Sequence, residues 1–335
     1  MQSILDSWLT GNENLKLCNY MYLDWNKQKV IWSYDKPNEI NFKKKIKWRN
    51  MGIDILICGN IENNDNKCLS NYIHTPILKS NLQKCIRRGL TKQALGTAKV
   101  MIKTDFIEFV RRLSIIILED CTLHVSFNIV VWMISAYPEW QPKKVHINWL
   151  LSLVKYLSDL NVRDLYLKEE FNFKANIKEI NLLNVCEKSI IYSMYFRTSY
   201  GGMKGDMLMI QYLIKVWLDR FKNKQQLDYV FSPIEPIKDK VSNIKTHEIH
   251  LSAVDFHCYP KMLNLIQYKF DEYELEDIKS AIWYYRSSTN TKNILSTSIN
   301  HQDYIDFDKK YLNIWEDIKK EVDSVSKYFI SKLTQ

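Results

Sequence analysis

The sequence predicts a mainly α protein: a central helical array, with a small α+β portion before it and a helical portion after it. Three observations carry this. Strand-like alternation is confined to the first sixty residues, a 3.6-residue apolar period begins near Pro76, and a long amphipathic pattern closes the chain. At 46% hydrophobic and 25% charged residues, the 335-residue chain has the balance of a folded soluble protein, and its length makes two domains the starting expectation.

Tyr20–Leu23 and Val30–Tyr34 alternate in character around Asp24–Lys29, which reads as a β-hairpin. Gly52–Gly59 reads as a further short, buried strand. Between them lies a basic run with aromatic ends, Phe42–Arg49, and after them Asn60–Asn71 reads as a polar loop. These residues make up a small β-containing portion, residues 1–72.

Helical spacing then takes over. Leu78, Leu82, Cys85, Ile86, Ala94, Leu95, Ala98, Met101 and Ile102 mark one or two helices, interrupted near Gly89. Phe106, Phe109, Val110, Leu113, Ile116 and Ile117 mark the next, with Asp105 as its N-cap. Val125–Ala136 and Trp149–Leu157 continue the pattern across Pro138 and Pro142, and further helices run over Ile180–Phe196 and Asp206–Phe221. Each is expected to turn one apolar stripe to its neighbours. This is the central helical domain, residues 73–222.

Pro233 and Pro236 among charges mark Lys222–Ser242 as a linker. A C-terminal α-rich domain, residues 243–335, follows, with helices over Lys261–Tyr268 and Tyr273–Tyr285. A last amphipathic helix carries Tyr304, Phe307, Tyr311, Ile314, Trp315, Ile318, Val322, Val325 and Phe329.

Composition narrows the function classes. Seven scattered cysteines without a CxxC pair argue against a zinc ribbon or disulfide scaffold and for a reducing compartment, cytoplasmic or nuclear. Met1–Thr10 lacks the character of a signal peptide, and no apolar run approaches the ~20 residues of a membrane span, so no membrane partner is expected. The formal charge of +9 suits a polyanion. Lysine and asparagine predominate, as in A/T-rich coding genomes such as those of large DNA viruses or protists. Nine of the 47 basic residues are arginine, four of them in the doublets Arg87-Arg88 and Arg111-Arg112. Where lysine is the default cation, a retained planar guanidinium points to a job lysine does poorly.

Those doublets belong to a recognisable block: Ser80, Lys84-Cys85-Ile86-Arg87-Arg88-Gly89, Ala94-Leu95, Arg111-Arg112-Leu113 and Glu119-Asp120. Residues 80–120 resemble the helical, collar-like C-terminal region of the RarA/MgsA family of AAA+ ATPases, whose eukaryotic members are the Werner-helicase-interacting proteins. This block has an extra arginine before Gly89 and a slightly shortened link to the second doublet. The chain has no G-x-x-x-x-G-K-[ST], so the family's ATPase motif is absent. The resemblance implies an oligomerising assembly module of replication or repair machinery without its own motor. From the residues themselves, Arg111 and Arg112 with Glu119 and Asp120 read as structural ion pairs between helices, with contact to a phosphate backbone the alternative for the arginines.

Three further clusters are candidates for chemistry. Lys43, Lys44, Lys45, Lys47 and Arg49, with Trp48, interleave cations and aromatic rings as single-stranded nucleic acid requires; Arg87 and Arg88 join them as candidate contacts. A lysine-protected edge strand accounts for the run equally well. Gly201, Gly202 and Gly205, with Lys204 and Arg197, form a candidate phosphate nest at a helix start; the competing reading is a tight turn with Asp206 as the N-cap. His247, His250, Asp255 and His257 are candidate ligands for a divalent metal, with Glu248 as a base, although His247 to His250 is one residue short of the HExxH spacing. Surface histidines and a buried Asp–His hydrogen bond are the structural alternative.

The expected function is therefore a nucleic-acid-associated accessory or assembly protein, without an ATPase of its own and without a required cofactor. Nucleic acid is the expected partner, with protein partners or a homo-oligomer also in view. The alternatives are a metal-dependent hydrolase or nuclease using the histidine cluster, and a structural interaction protein such as a component of a viral particle.

Overall fold

The fold was obtained as a computed structural model, which describes residues 18–48, 51–58, 74–164, 177–225, 228–237, 244, 248–295 and 311–333. It is mainly α with a small sheet near the N-terminus. Strands β1 (Tyr20–Asp24) and β2 (Lys29–Ser33) form the expected antiparallel hairpin. Strands β3 (Ile40–Trp48) and β4 (Met51–Cys58) form a second one. The two hairpins join through a parallel pairing of β1 with β4, giving the order β2-β1-β4-β3. Period-2 alternation sends Met21, Leu23, Val30, Trp32, Ile53, Ile55 and Ile57 into the core.

Helices α1 (Thr75–Arg87) and α2 (Thr91–Thr104) are separated where expected: Gly89, at φ +66°, ends α1, and the Leu90 N–H returns to the Cys85 carbonyl at 2.9 Å. Asp105 caps α3 (Phe106–Glu119) by accepting from the Glu108 N–H, also as expected. Then come α4 (Ser126–Ala136) and α5 (Lys144–Asp159). The span expected as one helix from Ile180 is two, α6 (Ile177–Asn181) and α7 (Val185–Thr198), because Asn184 opens α7 with a capping box completed by Glu187. The long α8 (Lys204–Lys222) follows.

One helix departs from the single-stripe expectation. Every residue of α4 is buried, because this helix lies against β1, β2, β4, α3 and α7 together. The Trp132 indole N–H donates to the Leu56 carbonyl at 2.9 Å, so even its polar atom is used inside. The sheet and helices α1–α8 consequently share one apolar core.

Residues 228–237 lie along the array rather than away from it: the Val125 N–H donates to the Val230 carbonyl, and the Ile237 N–H to Ser152 Oγ. A 3-10 turn (Leu251–Ala253), α9 (Lys261–Lys269), α10 (Leu275–Ile282) with a π turn (Trp283–Ser287), and α11 (Leu312–Leu333) then surround a second core. Ile77 of α1 belongs to that second core, so α1 serves both. A two-residue parallel bridge, β5 (Val162–Arg163) with β6 (Asn293–Ile294), also links the array to the C-terminal part. Among the described residues, no helix is long and apolar enough to cross a membrane.

Candidate nucleic-acid interface

Backbone pairing decides which side chains share the outer face of the sheet. Ile31, Tyr22, Leu56 and Lys43 stand in one cross-strand row; Ser33, Tyr20, Asp54 and Lys45 stand in the next, and Lys47 lies beyond, opposite Gly52. Lys43, Lys45 and Lys47 are exposed, Tyr20 and Tyr22 are half-buried, and Leu56 between them is shut from solvent. The face therefore combines two half-buried aromatic rings and a row of cations around a covered leucine.

Lys43 pairs with Asp54 at 2.8 Å, and this contact raises its pKa. Lys45 and Lys47 form no ion pair with any described residue. The stem of Lys45 runs across Gly52, where an added Cβ would stand 2.8 Å from its Cε. Successive exposed lysines two residues apart are spaced by about 6.7 Å along an extended strand.

The remaining residues of the basic run go elsewhere. Lys44 is on the opposite face, where period 2 requires it to be, and its ammonium donates to the Tyr137 carbonyl at 3.0 Å and pairs with Glu139 at 2.5 Å. Trp48 is buried, its ring 5.7 Å from Trp32 and 5.3 Å from Phe196, and its indole N–H donates to Ser199 Oγ at 3.0 Å. It is a core residue rather than a stacking platform. Arg49 lies outside the described residues.

Arg87 is buried and Arg88 half-buried, and both are engaged within the fold. Arg87 is buried, with Nε 2.6 Å from Asp120, Nη2 3.6 Å from Glu119, and Nη1 donating to the Ser287 carbonyl. Burial disfavours its charge, but Asp120 and Glu119 outweigh that and raise its pKa. Burial and neighbouring Arg87 push Arg88 down to about 10, while its guanidinium donates to the Arg286 carbonyl. Beside them Lys84 pairs with Asp255 at 2.5 Å, and Arg286 binds Asp323 and the Val254 and Leu251 carbonyls. This is a polar seam joining α1 and the end of α3 to the C-terminal part.

The expected partnership of Arg111 and Arg112 with Glu119 and Asp120 is therefore replaced by that of Arg87. All four residues expected to pair lie on α3 or at its end, and eight residues of helix span about 12 Å, too far for contact. Arg111 instead meets Glu108 at 3.3 Å and donates to the Tyr200 carbonyl at 2.9 Å; Arg112 donates to Gln83.

The glycine-rich turn sits between α7 and α8. Gly201 and Gly202 have φ of +78° and +145°, so a side chain there is strained. Gly201, Gly202, Lys204 and Gly205 are exposed. Asp206 is not the N-cap; Met203 holds that position and makes no side-chain cap bond. Arg197 is buried beneath the turn, with Nε donating to Ser114 Oγ and Nη1 to the Gly201 carbonyl.

In the histidine cluster, the carboxylate of Asp255 is occupied by Lys84, by Ser287 at 2.7 Å and by the His257 N–H at 2.9 Å. Burial opposes its charge, but His257, Lys84 and Ser287 more than offset it and hold the carboxyl well below the usual range. The His257 ring is 3.3 Å from Asp255, and His250 Nδ1 contacts Ser252. His247 lies outside the described residues. No group of three or more His, Cys, Asp or Glu side chains is placed to hold a metal among the described residues.

No family model, curated protein or solved structure matches this chain. The residues that sequence reasoning missed are Tyr20 and Tyr22 on the sheet and Arg286, Ser287 and Lys84 in the seam. The tyrosines were visible as alternating partners of Met21 and Leu23; their position on the lysine face depends on the parallel β1–β4 pairing, which no local pattern announces.

Proposed function

We propose that the chain binds single-stranded nucleic acid across the outer face of its four-stranded sheet, as an accessory or assembly protein of nucleic-acid transactions. The observation that carries this reading is the row of exposed lysines Lys43, Lys45 and Lys47 on the face that also presents Tyr20 and Tyr22. Cations spaced along an extended strand meet a flexible phosphate backbone, while half-buried aromatic rings offer stacking surfaces to unpaired bases. The formal charge of +9 favours the encounter. The collar-like block contributes the assembly part of the reading. Its residues fold as three consecutive helices, α1 to α3, tied by the Arg87–Asp120 contact.

Fluorescence anisotropy of a labelled single-stranded oligonucleotide at low salt tests the binding. Wild-type protein is expected to bind, and Tyr22→Leu, which keeps an apolar side chain on the strand, to weaken binding about tenfold through loss of one stacking contact of about 1–3 kcal/mol. Absence of binding at low salt, or equal affinity of the variant, rejects the proposal.

A further inference from the structure

Arg197 lies beneath the glycine-rich turn between α7 and α8. It is only 2% exposed, yet no carboxylate of a described residue lies within ion-pair distance of its guanidinium. A buried cation in that position is costly unless an anion compensates it. Burial, with Arg111 and Arg112 close by, pushes it down to about 10 despite Asp206 and Glu108. Its Nη2 donates to no described residue and faces Gly202, standing 3.8 Å from where a Cβ would be; Arg111 Nη2 stands 3.3 Å from the corresponding point on Gly201. Two guanidinium edges thus border one exposed turn.

The backbone of that turn adds donors. The N–H groups of Gly201 to Asp206 bond to no described residue. They lead into the 19-residue helix α8, whose dipole places partial positive charge there. The carboxylates nearby are Glu108, which is engaged by Lys79 at 2.7 Å and by Arg111, and Asp206, which makes no hydrogen bond or ion pair with a described residue. Asp206, the obvious competitor for these amides, leaves them free.

We infer that the Gly201–Asp206 turn, with Arg197 and Arg111 beneath it and Lys204 at its rim, is a binding site for a phosphate group. A tetrahedral dianion accepts from a row of amides and from guanidinium N–H groups at once, and it supplies the counter-charge that Arg197 lacks, while Arg111, already paired with Glu108, borders the site. The turn adjoins the basic edge of the sheet, since Trp48 at the end of β3 bonds Ser199 just before it. The group belongs either to free phosphate or to the end of a nucleic-acid strand.

Thermal unfolding of the full chain in increasing inorganic phosphate tests the site, against sodium chloride of equal ionic strength. The expected result is a melting temperature that rises with phosphate and saturates as single-site binding does, with no such rise in chloride. Arg111→Gln should weaken the apparent phosphate affinity at least tenfold, and Lys204→Ala, at an exposed position, about threefold. Competition by a 5′-phosphorylated oligonucleotide, but not its 5′-hydroxyl counterpart, assigns the group to a strand end; competition by neither assigns it to free phosphate, and both results uphold the site. No saturable phosphate response in the wild type, or equal responses in the wild type and Lys204→Ala with Arg111→Gln also unchanged or unfolded, overturns it. Lys45→Ala, on the sheet, should leave the phosphate response intact, so failure of the sheet proposal and failure of this one are separable.

Discussion

The outer face of the sheet and the seam between α1 and the C-terminal part both concentrate basic residues, and they use them in opposite ways. On the sheet the cations are lysines, exposed and in two cases without an ionic partner among the described residues. In the seam they are mainly arginines, buried, each donating to several acceptors: Arg87 to Asp120 and the Ser287 carbonyl, Arg286 to Asp323, Ser326 and two carbonyls. The difference follows from the side chains. A guanidinium offers five donors in a fixed fork and can satisfy several buried oxygens at once, whereas an ammonium is a compact, strongly hydrated charge, buried here where a carboxylate or carbonyls meet it, as at Lys84 and Lys292. Arginine in a lysine-rich chain therefore marks where the fold needs multidentate donors, and a row of lysines marks where the surface is free to meet an anion.

The largest expected effect comes from breaking the seam. Arg87→Ala leaves Asp120, 2% exposed, without its main partner, and should cost about 3–5 kcal/mol in chemical denaturation. A loss below about 1 kcal/mol would show that the seam does not hold the two cores together. Acid should expose the same region next. Because the folded pKa of Asp255 lies below its unfolded value, its contribution is fully present above about pH 4 and is lost as pH falls through and below that value. Asp255→Asn should remove that part of the acid slope while lowering stability at pH 7; an unchanged slope would mean the carboxylate is not held as described. His146 supplies a control away from both regions. It is buried against Trp25 and Trp140, and burial lowers its pKa from 6.5 to about 4. Stability should fall by up to about 3 kcal/mol as pH drops from 6.5 toward 4, and His146→Gln should flatten that window without touching the seam. The smallest effect belongs to the sheet: Lys45→Ala and Lys47→Ala should each change stability by less than about 0.5 kcal/mol.

Much of the fold was legible because it follows short-range rules. The β1–β2 hairpin, the break at Gly89, the Asp105 cap and the periodic helices are set by neighbours a few residues apart. What escaped depends on distant pairing. Three successive cations, Lys43 to Lys45, conceal the period-2 split that turns Lys44 inward, and the parallel β1–β4 contact that brings Tyr20 and Tyr22 beside the lysines joins segments some thirty residues apart. The acidic end of α3 announced an arginine partner, but the partner came from α1 rather than from the helix's own Arg111 and Arg112. Asp206 looked like a cap by residue type, yet the helix begins two residues before it.

The division of labour between exposed lysines and buried arginines is tested most directly by the salt dependence of single-stranded oligonucleotide binding. Each phosphate contact contributes about 0.7 to the slope of log K against log salt concentration. The triple variant Lys43→Ala/Lys45→Ala/Lys47→Ala should flatten that slope by about 2, with its unfolding transition within about 1 kcal/mol of the wild type. A slope unchanged by the three substitutions, in a variant that remains folded, would contradict the account.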